Sequence, residues 1–108
     1  MMMSARETID DLLQARLELR DPVILEQFWF TDDQHVTATI GEKNGAVCGP
    51  ILAYRITDQD VVVIGDDNTD WYHWEDIRVE GNLLHVHCDG RTKVFTIERQ
   101  KPRRRFLP

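Results

Sequence analysis

The sequence predicts an α+β domain in which one or two N-terminal helices precede a six-strand antiparallel meander, curled into a small, partly open barrel. Three observations lead to this fold class. Apolar residues recur at helical spacing near the N-terminus, and from His35 onward the period changes to two. Turn-forming pairs such as Asn44-Gly45 and Gly81-Asn82 then separate the alternating runs. A chain of 108 residues is enough for one hydrophobic core, so we expect a single domain over residues 1–100.

The N-terminal segment carries two helix-start signals. Ser4 and Glu7 have the spacing of a capping box, which predicts a helix beginning at Ser4. Apolar side chains then recur along one helical stripe: Ile9, Leu12, Leu13 and Leu17. We expect this helix to end at Asp21-Pro22, because a residue that precedes proline avoids the α region. The same pair favours the start of a second, short helix over residues 23–27.

The strands of the first half are predicted from alternation and turns. The first strand ends at Asn44-Gly45, and the returning strand covers about residues 47–57. Gly49-Pro50 interrupts it, which indicates a sheet edge or a bulge. The apolar run 61–64 follows a polar turn and is typical of a strand buried on both faces.

The stretch 71–99 is expected to form the last three strands, separated by Gly81-Asn82 and by Asp89-Gly90-Arg91. If Gly90 and Arg91 form a type II′ loop, Val86 faces Phe95 and Leu84 faces Ile97. One apolar face then contains five side chains: Leu84, Val86, Cys88, Phe95 and Ile97. A slip of one residue would scatter these side chains over both faces.

The net charge of −6 hides an uneven distribution. Five of the thirteen basic residues lie in the last ten positions, which leaves eight basic against nineteen acidic residues elsewhere. Because an acidic body repels phosphate backbones, we expect no nucleic-acid binding by the main domain. Residues 101–108 are predicted to be a basic, loosely ordered tail, which we interpret as solvated; the alternatives are contact with an acidic partner, RNA, a lipid head group or the acidic body of the chain itself.

Cysteine usage and hydropathy indicate where the chain resides. Cys48 and Cys88 are too few for a disulfide framework, and we interpret them as reduced thiols, although their pairing stays open. No run approaches the roughly 18 apolar residues of a membrane span. The N-terminus has no signal-peptide pattern, so the expected location is the cytoplasm.

Four segments together resemble the strand sequence of small bacterial lipocalin-like (calycin) domains over residues 28–99: FWFTDDQHVTATI, YRITDQDVVVI, WEDIRVEGNLLHV and KVFTIER. The resemblance implies a barrel around an apolar pocket. A competing resemblance is that of ARLELRDPVILEQFWFTDDQHVTAT, which is similar to the helix, turn, helix and first strand of nuclear-transport-factor-like proteins. That family implies a cone-shaped α+β fold, dimers and occasional enzymes.

A histidine pair is the sharpest local signal for chemistry. His85 and His87 are two apart on a predicted strand, so both side chains point to one face and can supply two nitrogen ligands to a metal. His73 on the preceding strand is the candidate third ligand, with Asp89 or Asp76 as a carboxylate. The alternative interpretation is a solvated polar face of the sheet.

The aromatic residues suggest a ligand pocket. We nominate Tyr54, Trp71, Trp74, His85 and Phe95 as its lining, against the alternative that most of them form the core. The predicted function is a small intracellular binding or interaction protein with no cofactor, whose partner is a small apolar ligand or a protein, with a homodimer left open. Two alternatives are an enzyme using His73, His85 and His87, and an acidic module that binds a basic partner.

Overall fold

The structure is a computed structural model that describes residues 4–57, 59–65 and 67–99; the predicted tail 101–108 lies outside them. The described residues form one short helix and nine strands: α1 (Ala5–Asp11), β1 (Arg16–Leu19), β2 (Ile24–Phe30), β3 (His35–Glu42), β4 (Val47–Cys48), β5 (Ile51–Thr57), β6 (Asp60–Ile64), β7 (Asp70–Glu80), β8 (Leu83–Cys88) and β9 (Arg91–Glu98).

The strands form one antiparallel sheet that closes on itself. Its order is β2-β1-β9-β8-β7-β6-β5-β3-β4, and β2 also pairs with β3. Eight strands therefore complete a closed barrel. The ninth, the two-residue β4, lies directly before Gly49-Pro50 and pairs with β3. The fold is a mostly antiparallel β-barrel with one short helix, which is compatible with the lipocalin-like resemblance. It differs from the prediction of two helices, six strands and a partly open barrel.

The first helix begins where the sequence predicts but ends early. The Ser4 hydroxyl accepts a hydrogen bond from the Glu7 N–H at 3.1 Å, and the Glu7 carboxylate accepts one from the Ser4 N–H at 3.2 Å. This capping box is confirmed. The helix ends at Asp11, however, and Leu17 belongs to β1, where Leu17 and Leu19 both face the core.

The predicted second helix is wrong, since residues 24–30 form strand β2. The Asp21 carboxylate accepts hydrogen bonds from the N–H groups of Val23 and Ile24 at 2.8 and 2.7 Å, as a helix N-cap would. The chain nevertheless continues as a strand because β2 pairs along its whole length with β3 and over residues 27–29 with β1. Sheet pairing thus overrides the local helix signal. The segment behind the nuclear-transport-factor-like resemblance therefore contains strands where two helices were expected.

The predictions from His35 onward are largely confirmed. The predicted returning strand is interrupted at Gly49-Pro50, which separates β4 from β5. At this point the Ala38 N–H donates to the Pro50 carbonyl at 2.9 Å. Val62 is buried on the outer side of β6, and Val61 and Val63 are buried on its inner side. This strand is therefore covered on both faces. The three strands of the stretch 71–99 are also present.

The β8–β9 turn differs from the predicted type II′ loop. Asp89 and Gly90 both have left-handed backbone conformations, with φ of 53° and 76°, so they form the two-residue loop and Cys88 pairs with Arg91. Such a pair of positive φ angles is typical of a type I′ hairpin. The register moves so that Leu84 pairs with Phe95. The predicted apolar face is nevertheless correct, because this shift preserves the alternation of inward and outward residues.

Aromatic side chains fill the barrel. Trp74 is fully buried, and its ring centroid lies 5.1 Å from Phe28, 6.0 Å from Phe30 and 5.1 Å from Phe95. Eight strands enclose a space just wide enough for side chains to fill it. The buried apolar residues of α1, Ala5 and Ile9, belong to the same core. The helix lies at the end of the barrel where β2 ends. The backbone N–H of Gln14, which follows the helix, donates to the Phe30 carbonyl at 3.0 Å.

Candidate functional site

Three of the five predicted pocket residues belong to the packed core. Trp74 and Phe95 are completely buried and touch each other, and Tyr54 is 4% exposed. The Tyr54 ring packs edge-to-face on Phe30 at 4.7 Å, while its hydroxyl donates to the Asp32 carbonyl at 2.6 Å. Burial raises the pKa of Tyr54. These aromatic side chains fill the interior instead of lining a cavity.

The other two predicted pocket residues lie outside the barrel. Trp71 is 37% exposed, and its indole N–H donates to the Asp67 carboxylate at 3.2 Å. His85 is half-buried on the outer face of β8. The structure therefore does not bring the nominated residues together as one pocket.

The three histidines of the predicted metal site are also separate. His73 Nε2 lies 2.8 Å from Asp60 Oδ2, towards β6. Across β7 and β8, His87 pairs with Glu75 and His85 pairs with Arg78, with a register shift between these pairs. Neither histidine therefore faces His73. Within the described residues, no three His, Cys, Asp or Glu side chains are close enough to hold a metal ion.

His85 and His87 do share a small cleft on the outer face of the barrel. Its volume is about 60 Å³, and Asp76, Arg78 and Thr92 contribute to its wall. Asp76 has a left-handed backbone with φ of 55° at the β7 bulge. His85 Nε2 is buried without a hydrogen-bond partner and lies 3.6 Å from the Glu80 carboxylate. The sequence thus predicted correctly that these two histidines are neighbours, and their role as metal ligands stays a prediction.

The two cysteines are both free thiols. Cys48 is exposed on β4, and Cys88 is buried on β8, a strand that does not pair with β4. Burial raises the pKa of the Cys88 thiol. This agrees with the interpretation of the cysteines as reduced side chains.

An ion pair occupies the inner face of the barrel towards the end opposite α1. Lys93 Nζ donates to the two carboxylate oxygens of Glu26 at 3.0 and 3.1 Å. The Lys93 ammonium also lies 5.4 Å from the centre of the Tyr72 ring. Burial, followed by the negative charge of Glu26, raises the pKa of Tyr72 to about 12. The two partly buried charges of Lys93 and Glu26 therefore compensate each other.

A concave region lies outside the barrel, around Trp29. Trp29 points outward because Phe28 and Phe30, its neighbours on β2, both point into the core. Cross-strand partners share a face, and here they form a continuous row from Glu98 through Arg16 and Trp29 to Thr37. Two adjoining clefts follow this row, and we call them together the Trp29 groove. The polar and aromatic side chains of its wall are Gln14, Arg16, Gln27, Trp29, Thr37, Thr39, Glu98 and Arg99.

Trp29 stands between two of these clefts. A cleft of about 170 Å³ lies towards β3, with Gln27, Thr37 and Thr39 in its wall. A smaller one of about 70 Å³ lies towards β9. Arg16 and Trp29 line both, so the indole ring separates two neighbouring spaces. A third cleft of about 180 Å³ shares Gln14 and Arg99 with the smaller one.

Gln14 holds the Trp29 ring in place. Its side-chain oxygen accepts a hydrogen bond from the Trp29 indole at 3.2 Å, and its side-chain nitrogen donates to the Thr31 carbonyl at 2.9 Å. Gln14 has a left-handed backbone with φ of 68°. For a residue other than glycine, this conformation costs about 1–2 kcal/mol. Strain of this kind is concentrated at functional sites, where the surrounding structure maintains it.

The charges around the groove nearly cancel. Arg99 donates to the backbone carbonyl of Asp11 and to its carboxylate, both at 2.9 Å. Arg16 lies opposite Glu98 in the strand register, and Glu18 accepts a hydrogen bond from Gln27 at 2.7 Å. Two arginines therefore stand among three carboxylates. The groove is polar, but its described residues carry no surplus of positive charge.

Sequence reasoning missed this groove, although one signal was present. In Phe28-Trp29-Phe30 a strand must place the tryptophan on the face opposite the two phenylalanines. That signal depends on assigning Phe28-Trp29-Phe30 to a strand, and the sequence predicts a helix that ends directly before it, at about residue 27.

Comparisons with protein families, with curated proteins and with solved structures found no match to this chain. In the part of the chain that the structure describes, no helix is long and apolar enough to span a membrane.

Proposed function

We propose that this protein is a small binding protein that holds its ligand in the Trp29 groove. One observation carries the proposal: a partly exposed indole, fixed by a strained glutamine, separates two clefts whose walls bear hydrogen-bonding side chains. Binding sites typically combine an aromatic or apolar surface with a few placed polar groups. The groove has this composition, and eight paired strands hold it rigidly.

The proposal moves the ligand from an interior pocket to the outer surface. The sequence predicts an apolar pocket inside the barrel, but Tyr54, Trp74 and Phe95 pack within the core there. An intracellular location and the alternative of an acidic module for a basic partner both stay predictions. That alternative requires binding that weakens as salt is added.

A fragment screen by saturation-transfer NMR tests the proposal. We expect a general library of small neutral and charged fragments to give hits on the wild-type protein that are lost in Trp29→Ala. The matched control is Trp71→Ala, which removes a partly exposed tryptophan from a different part of the surface. Fragment hits that survive in Trp29→Ala, or a screen without hits, would contradict the proposed function.

A further inference from the structure

We infer that the ligand of the Trp29 groove is an uncharged saccharide, with neighbouring sugar rings on the two sides of Trp29. This inference rests on the proposed binding function and adds the chemical class of the ligand. It follows from the charge balance, the hydrogen-bonding groups, the size of the clefts and the pairing of the strands beneath them.

Charge balance favours an uncharged ligand. Arg99 is already engaged by Asp11, and Arg16 has Glu98 opposite it on β9. Glu18 adds a further negative charge beside Gln27. A phosphate or a nucleic-acid strand requires uncompensated cations along its path, which the described residues of this surface do not provide. A neutral polar molecule meets no such penalty.

The hydrogen-bonding groups suit a molecule rich in hydroxyls. A hydroxyl donates one hydrogen bond and accepts two, so a surface for several hydroxyls must mix donors with acceptors. The Thr37 and Thr39 side chains supply both roles, and Arg16 supplies donors to both clefts. The amide nitrogen of Gln27 is bonded to Glu18, which fixes that side chain and leaves its oxygen as an acceptor. This mixture lies directly beside an aromatic ring.

The clefts are small and separated by a flat ring. Pockets for drug-sized ligands measure roughly 300–1,000 Å³, whereas the two clefts beside Trp29 measure about 170 and 70 Å³. Each therefore accommodates at most one ring of a ligand. A chain of linked rings can place successive units on the two sides of the indole and keep its polar edges on the threonines, Gln27 and Arg16.

The strand pairing argues against an extended peptide. Peptides commonly bind sheets by adding a strand to a free edge. The groove lies on the face of β1, β2 and β3, and β2 is paired with β1 on one side and β3 on the other. Its backbone groups are therefore already used. Recognition at this surface must come from side chains, as a saccharide requires.

The test follows the indole N–H signals of the full chain in two-dimensional NMR spectra. The chain has three tryptophans, and Trp29→Phe and Trp71→Phe assign their signals. The probes are cellopentaose, maltopentaose and penta-N-acetylchitopentaose at millimolar concentrations. We expect at least one of them to shift the Trp29 signal saturably, without moving that of Trp71. Affinity should be the same at low and high salt, and should fall by about tenfold or more in Trp29→Ala.

Two further variants keep the inference testable if Trp29→Ala fails to fold. Thr37→Val and Thr39→Val preserve side-chain shape, and each should weaken saccharide binding severalfold. If none of the three saccharides shifts the Trp29 signal while fragments still bind at the groove, the saccharide class is overturned and the proposed function stands. Tighter binding of inorganic phosphate or oligothymidylate at this signal would also overturn it. If fragments fail as well, the proposed function is overturned.

Discussion

The Lys93–Glu26 ion pair gives the sharpest stability prediction. Both side chains are largely removed from water, with 20% of Lys93 and 9% of Glu26 exposed, and two hydrogen bonds of 3.0 and 3.1 Å join them. Lys93→Met removes the cation and leaves the Glu26 carboxylate buried without a partner. Glu26→Gln leaves Lys93, whose longer side chain can turn its ammonium towards solvent. We therefore expect the two substitutions to have unequal costs.

The magnitude follows from distance and burial. At 3.0 Å and an effective dielectric constant of about 20, the attraction between the two charges is about 5–6 kcal/mol. The cost of removing both charged groups from water offsets most of this attraction. Loss of one partner nevertheless costs about 3–5 kcal/mol, because the other charge stays buried without compensation. Because some exposure remains, we expect Lys93→Met to lower the free energy of unfolding by about 3 kcal/mol and Glu26→Gln by about 1–2 kcal/mol. Glu26→Met combined with Lys93→Met should lie within about 1 kcal/mol of wild type.

Urea unfolding of wild type, Lys93→Met, Glu26→Gln and the double variant measures these differences in the free energy of unfolding. The single variant Glu26→Met completes the double-mutant cycle. Lys43→Met is the matched control, since Lys43 is exposed and should change stability by less than about 0.5 kcal/mol. A loss of about 3 kcal/mol corresponds to a melting temperature lower by about 12–24 °C in a domain of this size. A Lys93→Met protein as stable as the control, or a double variant as unstable as Lys93→Met, would refute the reasoning.

Three further outcomes are expected. Cys48 should react with Ellman's reagent in the native protein and Cys88 only after unfolding, because burial covers Cys88 and raises its pKa; two fast thiols would contradict this. Burial raises the pKa of Tyr54 and raises that of Tyr72 to about 12, whereas unfolded phenols ionise near pH 10. The stabilisation from these shifts is therefore present below about pH 10 and is lost as the pH rises towards about 12. Ultraviolet titration with and without urea measures the two pKa values, and coincident titration curves would contradict the shifts. Ser4→Ala should remove the capping box and cost about 1 kcal/mol, as checked by calorimetry.

The predictable parts of the fold were those whose local and long-range preferences agree. From β3 to β9, alternation and turn residues predict strands, and the strands pair with their sequence neighbours. The N-terminal quarter is different. Leu17 satisfies both a helical stripe and the alternation of a four-residue strand, and Asp21 makes N-cap hydrogen bonds in front of a strand. Only pairing with β9 and β3 decides between the two structures, and periodicity does not encode that pairing.

The candidate site was less predictable because its parts are far apart in the sequence. Gln14 precedes β1, Trp29 and Thr37 lie on β2 and β3, and Glu98 comes from the last strand. Barrel closure brings Trp29, Thr37 and Glu98 into one row, and Gln14 reaches this row through its hydrogen bond to Trp29. His85 and His87 were recognisable because two residues on one strand need no closure. Their predicted third partner, His73, lies opposite neither of them, since His87 pairs with Glu75 and His73 contacts Asp60 on β6.

The pairing of β1 with β9 has a consequence for synthesis on the ribosome. Leu17 pairs with Ile97, so β1 emerges long before β9 and must wait for its partner strand. Closure of the barrel is thus the most non-local step of folding, and such contacts slow folding relative to helical proteins. Until β9 arrives, β1 and β8 each present an unpaired edge, which is a template for association with other chains. The last strand covers both edges at once.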